Sequence, residues 1–195
     1  MKNYLGEDVD LLQKVYDKEW TYNYLLDCIA AVGNGEETGV WGMSATNSSY
    51  SVDGFLAGLG LTLVKTSADA QPQVTVTDSH NIDITNALRK LYHSNASMYV
   101  AEAGEPFRKG QSMFYADYMK YAQYLTNEKI SYGMLPFPLW DENQKDYYPT
   151  SHDAYTVLGI PRTCEKPEEI TAVLELMAYE SRQQVRPALY YKCYS

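Results

Sequence analysis

Cysteine is scarce in this chain. Cys28, Cys164 and Cys193 are the only three in 195 residues, far apart and odd in number, so neither a disulfide framework nor a CxxC metal site can be read from them. Buried thiols are the plain expectation. Long apolar runs are missing too: no stretch approaches the roughly 20 residues needed to cross a bilayer. The opening MKNYLGEDVD lacks the charged-then-apolar pattern of a signal peptide. As written, the chain reads as soluble and unaddressed, either a cytoplasmic protein or a piece of a longer exported one. Histidine is sparse as well, and His80, His93 and His152 form no HxxxH pair. A zinc site would have to be assembled wholly by folding, and no metal or other cofactor is expected. Phosphate motifs are absent: there is no GxxxxGK[ST], and GNGEETG at 33–39 puts Thr38 where GxGxxG needs its third glycine. Positive charge is in deficit, with 16 Lys and Arg against 25 Asp and Glu and a net charge of −9. Such a field repels phosphate backbones and anionic surfaces, so no nucleic-acid partner is expected.

What remains is an ordinary globular composition, 45% apolar and 21% charged, with one abnormal feature. There are 19 tyrosines and three tryptophans, amphipathic rings that pack in cores and also stack on flat ligand faces. With an acidic chain, sugars suit those rings better than nucleic-acid bases do. The length fits one domain or two small ones.

Apolar periodicity predicts a first helix over 6–19 and a second after Thr21, where Tyr24, Leu25, Cys28, Ile29 and Val32 recur at helical spacing until Gly33. Short strands are predicted at 39–44, 61–65, 74–77, 111–115, 132–135 and 154–160, and helices at 50–59, 82–92, 117–125 and 167–184. Residues 97–109 read as loop, and Pro187 opens a last helical turn. Strands alternating with helices indicate the α/β class with a parallel or mixed sheet.

Ligands of α/β folds sit outside the carboxyl ends of strands. Rings at strand ends, Trp41, Tyr50, Phe114 and Tyr115 among them, are therefore better candidates for ligand contact than the helical Tyr118, Tyr121 and Tyr124. Glycoside hydrolysis would need only two acids a few ångströms apart. Asp141 with Glu142, or Asp53 with Asp153, could supply them, so a glycosidase stays open beside a binding protein. A Tyr-rich protein-interaction module is the third alternative.

The order of segments resembles one family. KEWTYNYLLD at 18–27 is similar to the G-x-W-T-W-D-E-F helix start of the extracellular solute-binding proteins (family 1, carbohydrate type) that feed sugars to ABC importers. GVWG at 39–42 stands where that family has its YG(L/F) strand. The helix at 50–60 resembles the one leading to A-x-G, and FRKGQSMF at 107–114 resembles F-x-x-G-x-x-x-(F/M). Most specific is YGMLPFPLWDENQKDYY at 132–148, followed by HDAYTVLGIPRTCEKPEE at 152–169. It is similar to YG-x-LP-x-P-K-x-(D/N)-E-x-Q-x-x-Y-Y and then (I/V)P-x-T-x-x-P-E of members from gut Firmicutes. Leu139 stands where many members have Lys, and Tyr22-Asn23 replaces Trp-Asp, so neither position takes a family role.

The resemblance implies a type 2 periplasmic-binding-protein-like α/β fold, without catalytic residues, cofactor or metal. Residues 1–132 would be most of the second lobe. Residues 133–195 would cross the hinge and return to a first lobe that is otherwise absent from the chain. It implies a sugar or oligosaccharide ligand held by Tyr50, Asp53, Phe114, Tyr115, His152, Asp153 and Trp41. It also implies delivery to ABC permease subunits, and an extracellular, membrane-anchored lipoprotein as the full-length form. A surface left by the missing lobe would invite a homo-oligomer.

Overall fold

The computed structural model describes residues 2–7, 9–125, 130–150 and 157–194. They divide into two compact units, Met1–Tyr118 with Ile130–Thr150, and Met119–Lys129 with Ser151–Ser195. The chain is mixed α/β with a small parallel sheet.

In the first unit, the helix expected over 6–19 is confined to residues 11–16, and a separate short helix precedes it. α1 spans Lys2–Leu5, and Gly6 leaves helical geometry with φ at 95°. α2, Leu11–Tyr16, starts only after Asp10, whose carboxylate accepts from the Gln13 N–H at 3.0 Å. α3, Tyr22–Val32, has its expected limits. The Thr21 hydroxyl accepts from the Tyr24 N–H, Gly33 turns the chain at φ 89°, and Tyr22, Leu25, Cys28, Ile29 and Val32 form its buried stripe. α4, Gly35–Thr38, occupies the expected loop.

β1, Trp41–Thr46, is the central strand and is buried on both faces through Met43, Ser44 and Ala45. Gly42 is what lets α3 lie so close: a Cβ there would stand 2.7 Å from the Ile29 Cα and carbonyl oxygen. α5, Ser49–Gly58, follows. An antiparallel hairpin of β2, Val64–Thr66, and β3, Pro72–Val74, leads to α6, Ser79–Tyr92. Asn81 clamps this hairpin to α6 by donating to the Thr62 and Thr75 carbonyls at 2.7 and 2.6 Å. Residues 97–109, expected as loop, hold β4, Ser97–Val100, and α7, Gly104–Arg108. β5, Ser112–Ala116, completes a parallel sheet in the order β4-β1-β5.

Residues 132–135 form no strand. The chain there runs irregularly over the helices and is pinned at three points. Trp20 Nε1 donates to the Pro136 carbonyl at 2.9 Å, and Leu139 exchanges backbone bonds with Trp20 and Tyr22. Between these, Phe137 lies against α5, where a Cβ at Gly54 would come within 2.4 Å of its ring and a Cβ at Gly58 within 2.5 Å of its own Cβ. Leu139 is fully buried.

In the second unit, residues Met119–Tyr124 form a 3-10 helix rather than the expected α-helix. Residues 157–160 have no regular structure, and 154–156 of the strand expected there lie outside the described residues. α8, Pro167–Glu180, opens with Pro167 in its first turn, as expected. It passes through a π-helical turn, Ser181–Val185, straight into α9, Arg186–Tyr194. Among the described residues no helix is long and apolar enough to cross a membrane.

Candidate functional site

Chain order and spatial order disagree in the sheet. The chain leaves β1 toward β4 and comes back on the other side of β1 as β5. The carboxyl ends of β1 and β5 therefore lie side by side, at the edge where ligands of open α/β sheets bind.

The register sets what stands there. Ala45 pairs with Ala116, which carries Thr46 beside Asp117. The Thr46 hydroxyl donates to Asp117 Oδ2 at 2.9 Å, the Tyr115 hydroxyl donates to the same oxygen at 2.5 Å, and the Tyr118 N–H donates to Oδ1 at 2.7 Å. Hydrogen bonds to a carboxylate are about twice as strong as neutral ones, so this half-buried acid fixes the ends of both strands to one another. Behind it, Ser51 of α5 donates to the Thr46 carbonyl at 2.7 Å. The first turn of α5 thus stands at the same edge, with its N–H groups and the positive end of its dipole. Ser48 occupies the N-cap position in extended conformation without a capping bond, and its buried Oγ has no hydrogen-bond partner. The Tyr115 ring tilts against Phe107 at 5.8 Å and 32°, making an aromatic wall next to the carboxylate.

The residues named from sequence distribute unevenly over this site. Tyr115 is in it, and Tyr50 stands in the first turn of α5. Asp53 lies on the same helix with an exposed side chain. Phe114 points the other way from Tyr115, as alternation along a strand requires, and packs on Trp20 at 5.8 Å. Trp41 is at the amino end of β1, against Gly35, whose Cβ would fall 2.2 Å from its ring. His152 and Asp153 lie outside the described residues. Thr46, Ser48 and Asp117 were not singled out from sequence. An acid directly after an apolar strand was the available signal for Asp117.

Of the acid pairs, Asp141 turns its Oδ1 to the N–H groups of Asn143 and Gln144 at 2.8 and 3.3 Å, a loop-forming role. Among the described residues, no group of three or more His, Cys, Asp or Glu gathers as a metal site would require. The arrangement can accept and donate hydrogen bonds and offer a ring face, which suits a hydroxyl-rich ligand.

Compared with known proteins, the chain matches no family model, no curated protein and no solved structure.

Proposed function

We propose that this chain is the sugar-contacting part of an extracellular solute-binding protein of an ABC importer, with a type 2 periplasmic-binding-like lobe in its first unit. It binds without transforming its ligand. The observation that carries this reading is the convergence of Thr46, Tyr115, Asp117 and the start of α5 at the carboxyl ends of β1 and β5. The ordered sequence motifs supply the family. In this mechanism Asp117 and Thr46 take sugar hydroxyls, the Tyr115 face stacks on a pyranose ring, and a second wall closes over the ligand. A permease then senses closure, which requires the ligand to touch both walls, because only differential contacts shift a hinge equilibrium.

One wall alone binds weakly. A stacked ring adds about 0.5–1.5 kcal/mol beyond burial, so dissociation constants of about 1 mM or weaker are expected for the chain by itself. Saturation-transfer NMR against a panel of neutral oligosaccharides tests this. Transfer to at least one glycan, lost in Asp117→Ala and reduced in Tyr115→Ala, is the expected result. The reading fails if no glycan receives saturation at about 10 mM, or if the chain releases reducing ends.

A further inference from the structure

α8, the π-helical turn and α9 form one helical run from Pro167 to Tyr194, roughly 40 Å long at 1.5 Å per residue. Its large apolar side chains are open to solvent. Ile170, Val173, Leu176, Met177, Val185 and Leu189 are between 41% and 62% exposed. At about 100° per residue, Ile170, Val173, Leu176 and Met177 share one side of α8. In an unbroken α-helix Val185 and Leu189 would drift off that side. The π turn, in which the Arg186 N–H reaches back to the Ser181 carbonyl, takes up about one extra residue. Val185 and Leu189 thereby return to the line of Ile170, Val173 and Met177. They border a shallow groove with Gln184 and Ala188.

Charge along the run is divided end to end. From 167 to 180 there are four acids, Glu168, Glu169, Glu175 and Glu180, and no base; from 181 to 194 there are three bases, Arg182, Arg186 and Lys192, and no acid. This pattern suits each helix dipole by itself. It also decides how two such runs can meet. A parallel pair sets like charges side by side, whereas an antiparallel pair sets each acidic half on a basic half. Centred near Ser181, the antiparallel register brings Val173 opposite Leu189, Met177 opposite Val185 and Glu180 opposite Arg182. One alignment therefore satisfies the apolar line and the charges together.

We infer that this helical run is a self-association surface, and that two copies of the chain pair through it antiparallel. The occupant is a second copy because this surface is complementary to itself under a two-fold axis. Neither the pairing nor its test depends on sugar binding.

Sedimentation velocity on the full chain, from about 2 to 200 µM, is the experiment. A monomer–dimer equilibrium with its midpoint in the tens of micromolar is expected, since a single helix pair lies at the small end of specific interfaces. Raising NaCl from about 50 to 500 mM should weaken it several-fold, because the charge pairs are at the surface. Glu180→Arg should weaken it about tenfold, and Glu180→Arg combined with Arg182→Glu should restore it. Val173→Asp with Met177→Asp should abolish the dimer while tryptophan fluorescence, which reports the first unit, stays unchanged. A chain that is monomeric at about 200 µM overturns the proposal and leaves this face to a different protein. A dimer indifferent to the two aspartates overturns it by placing the interface elsewhere. A dimer that tightens with salt and ignores the charge variants overturns the antiparallel pairing.

Discussion

Replacing Gly54 with alanine should change sign according to what stands at position 137. Gly54 and Gly58 lie one turn apart on α5, with the Phe137 ring over Gly54 and the Phe137 Cβ over Gly58. In an open helix Gly→Ala stabilises by about 1 kcal/mol, because glycine has more backbone freedom to lose. Here the added Cβ would stand 2.4 Å from the Phe137 Cε2 and 2.5 Å from Cζ, more than an ångström inside normal contact. The ring cannot simply swing away. It is held edge-on to Phe55 with centroids 4.6 Å apart, and the bonds at Pro136 and Leu139 fix the backbone on either side. Overpacking of this kind costs about 1–3 kcal/mol, which exceeds the propensity gain, so Gly54→Ala should destabilise by roughly 1–2 kcal/mol. Phe137→Ala alone should cost about 2–4 kcal/mol from lost burial and the void left behind. In that background the obstruction is gone and only propensity remains, so adding Gly54→Ala should stabilise by about 0.5–1 kcal/mol. The cycle thus yields a coupling near 2 kcal/mol. Urea unfolding followed by tryptophan fluorescence measures it cleanly, since Trp20, Trp41 and Trp140 all belong to the first unit. Stabilisation by Gly54→Ala in both backgrounds would refute the placement of residues 136–139 on α5.

The same assay should find Gly42→Ala worse than Gly54→Ala, at about 3 kcal/mol or more, because its Cβ meets the backbone of Ile29 at 2.7 Å and all of α3 would have to shift. Asn81→Ala should cost about 1–3 kcal/mol by taking the side-chain acceptor from the Thr62 N–H and one of the two donors from each of the Thr62 and Thr75 carbonyls, with faster hydrogen exchange confined to the β2–β3 hairpin as its signature. At high pH, burial pushes the Tyr22 hydroxyl up to about 12 from 10.0 and the Cys28 thiol up to about 11 from 9.0. The folded chain therefore holds protons that the unfolded chain has released. These two groups leave stability unchanged below about pH 9 and lower it steadily toward pH 12, and Tyr22→Phe should reduce the slope of the urea midpoint between pH 10 and 12.

Elements with local punctuation were legible in the sequence. α3 announces itself with a capping Thr21, a five-residue apolar stripe and Gly33, and α8 with Pro167 in its first turn. β1 and β5 could be read as short apolar runs because parallel strands are buried on both faces. β4 could not. It is a four-residue edge strand, only half-buried, too short for any period, and only pairing with β1 makes it a strand. The error at 132–135 ran the other way. An apolar run with strand-forming residues stays irregular and half exposed, while the contacts that hold the segment down, at Pro136 and Phe137, come just after it from Trp20 and α5 rather than from a neighbouring strand.

For the site, the direction of the strands mattered more than their existence. Reading aromatic residues at strand ends treats both ends alike, and that placed Trp41 with Tyr115. In a parallel sheet the ends differ: Trp41 enters β1 and packs on Gly35, while Thr46 leaves it toward Asp117. Alternation separates the neighbours Phe114 and Tyr115 in the same way, one onto Trp20 and one onto Phe107. Chain direction and alternation give these two distinctions, but that Thr46 and Tyr115 meet follows only from β5 returning beside β1. Once the order β4-β1-β5 is known, the residue directly after β5 acquires its meaning. Asp117 Oδ2 is fixed by donors from both strand ends, so that oxygen is aimed by the register of the sheet, while Oδ1 is held by the Tyr118 N–H. A ligand that took the place of either hydroxyl on Asp117 would be held to the sheet itself, which gives this edge a rigid floor before any ligand arrives.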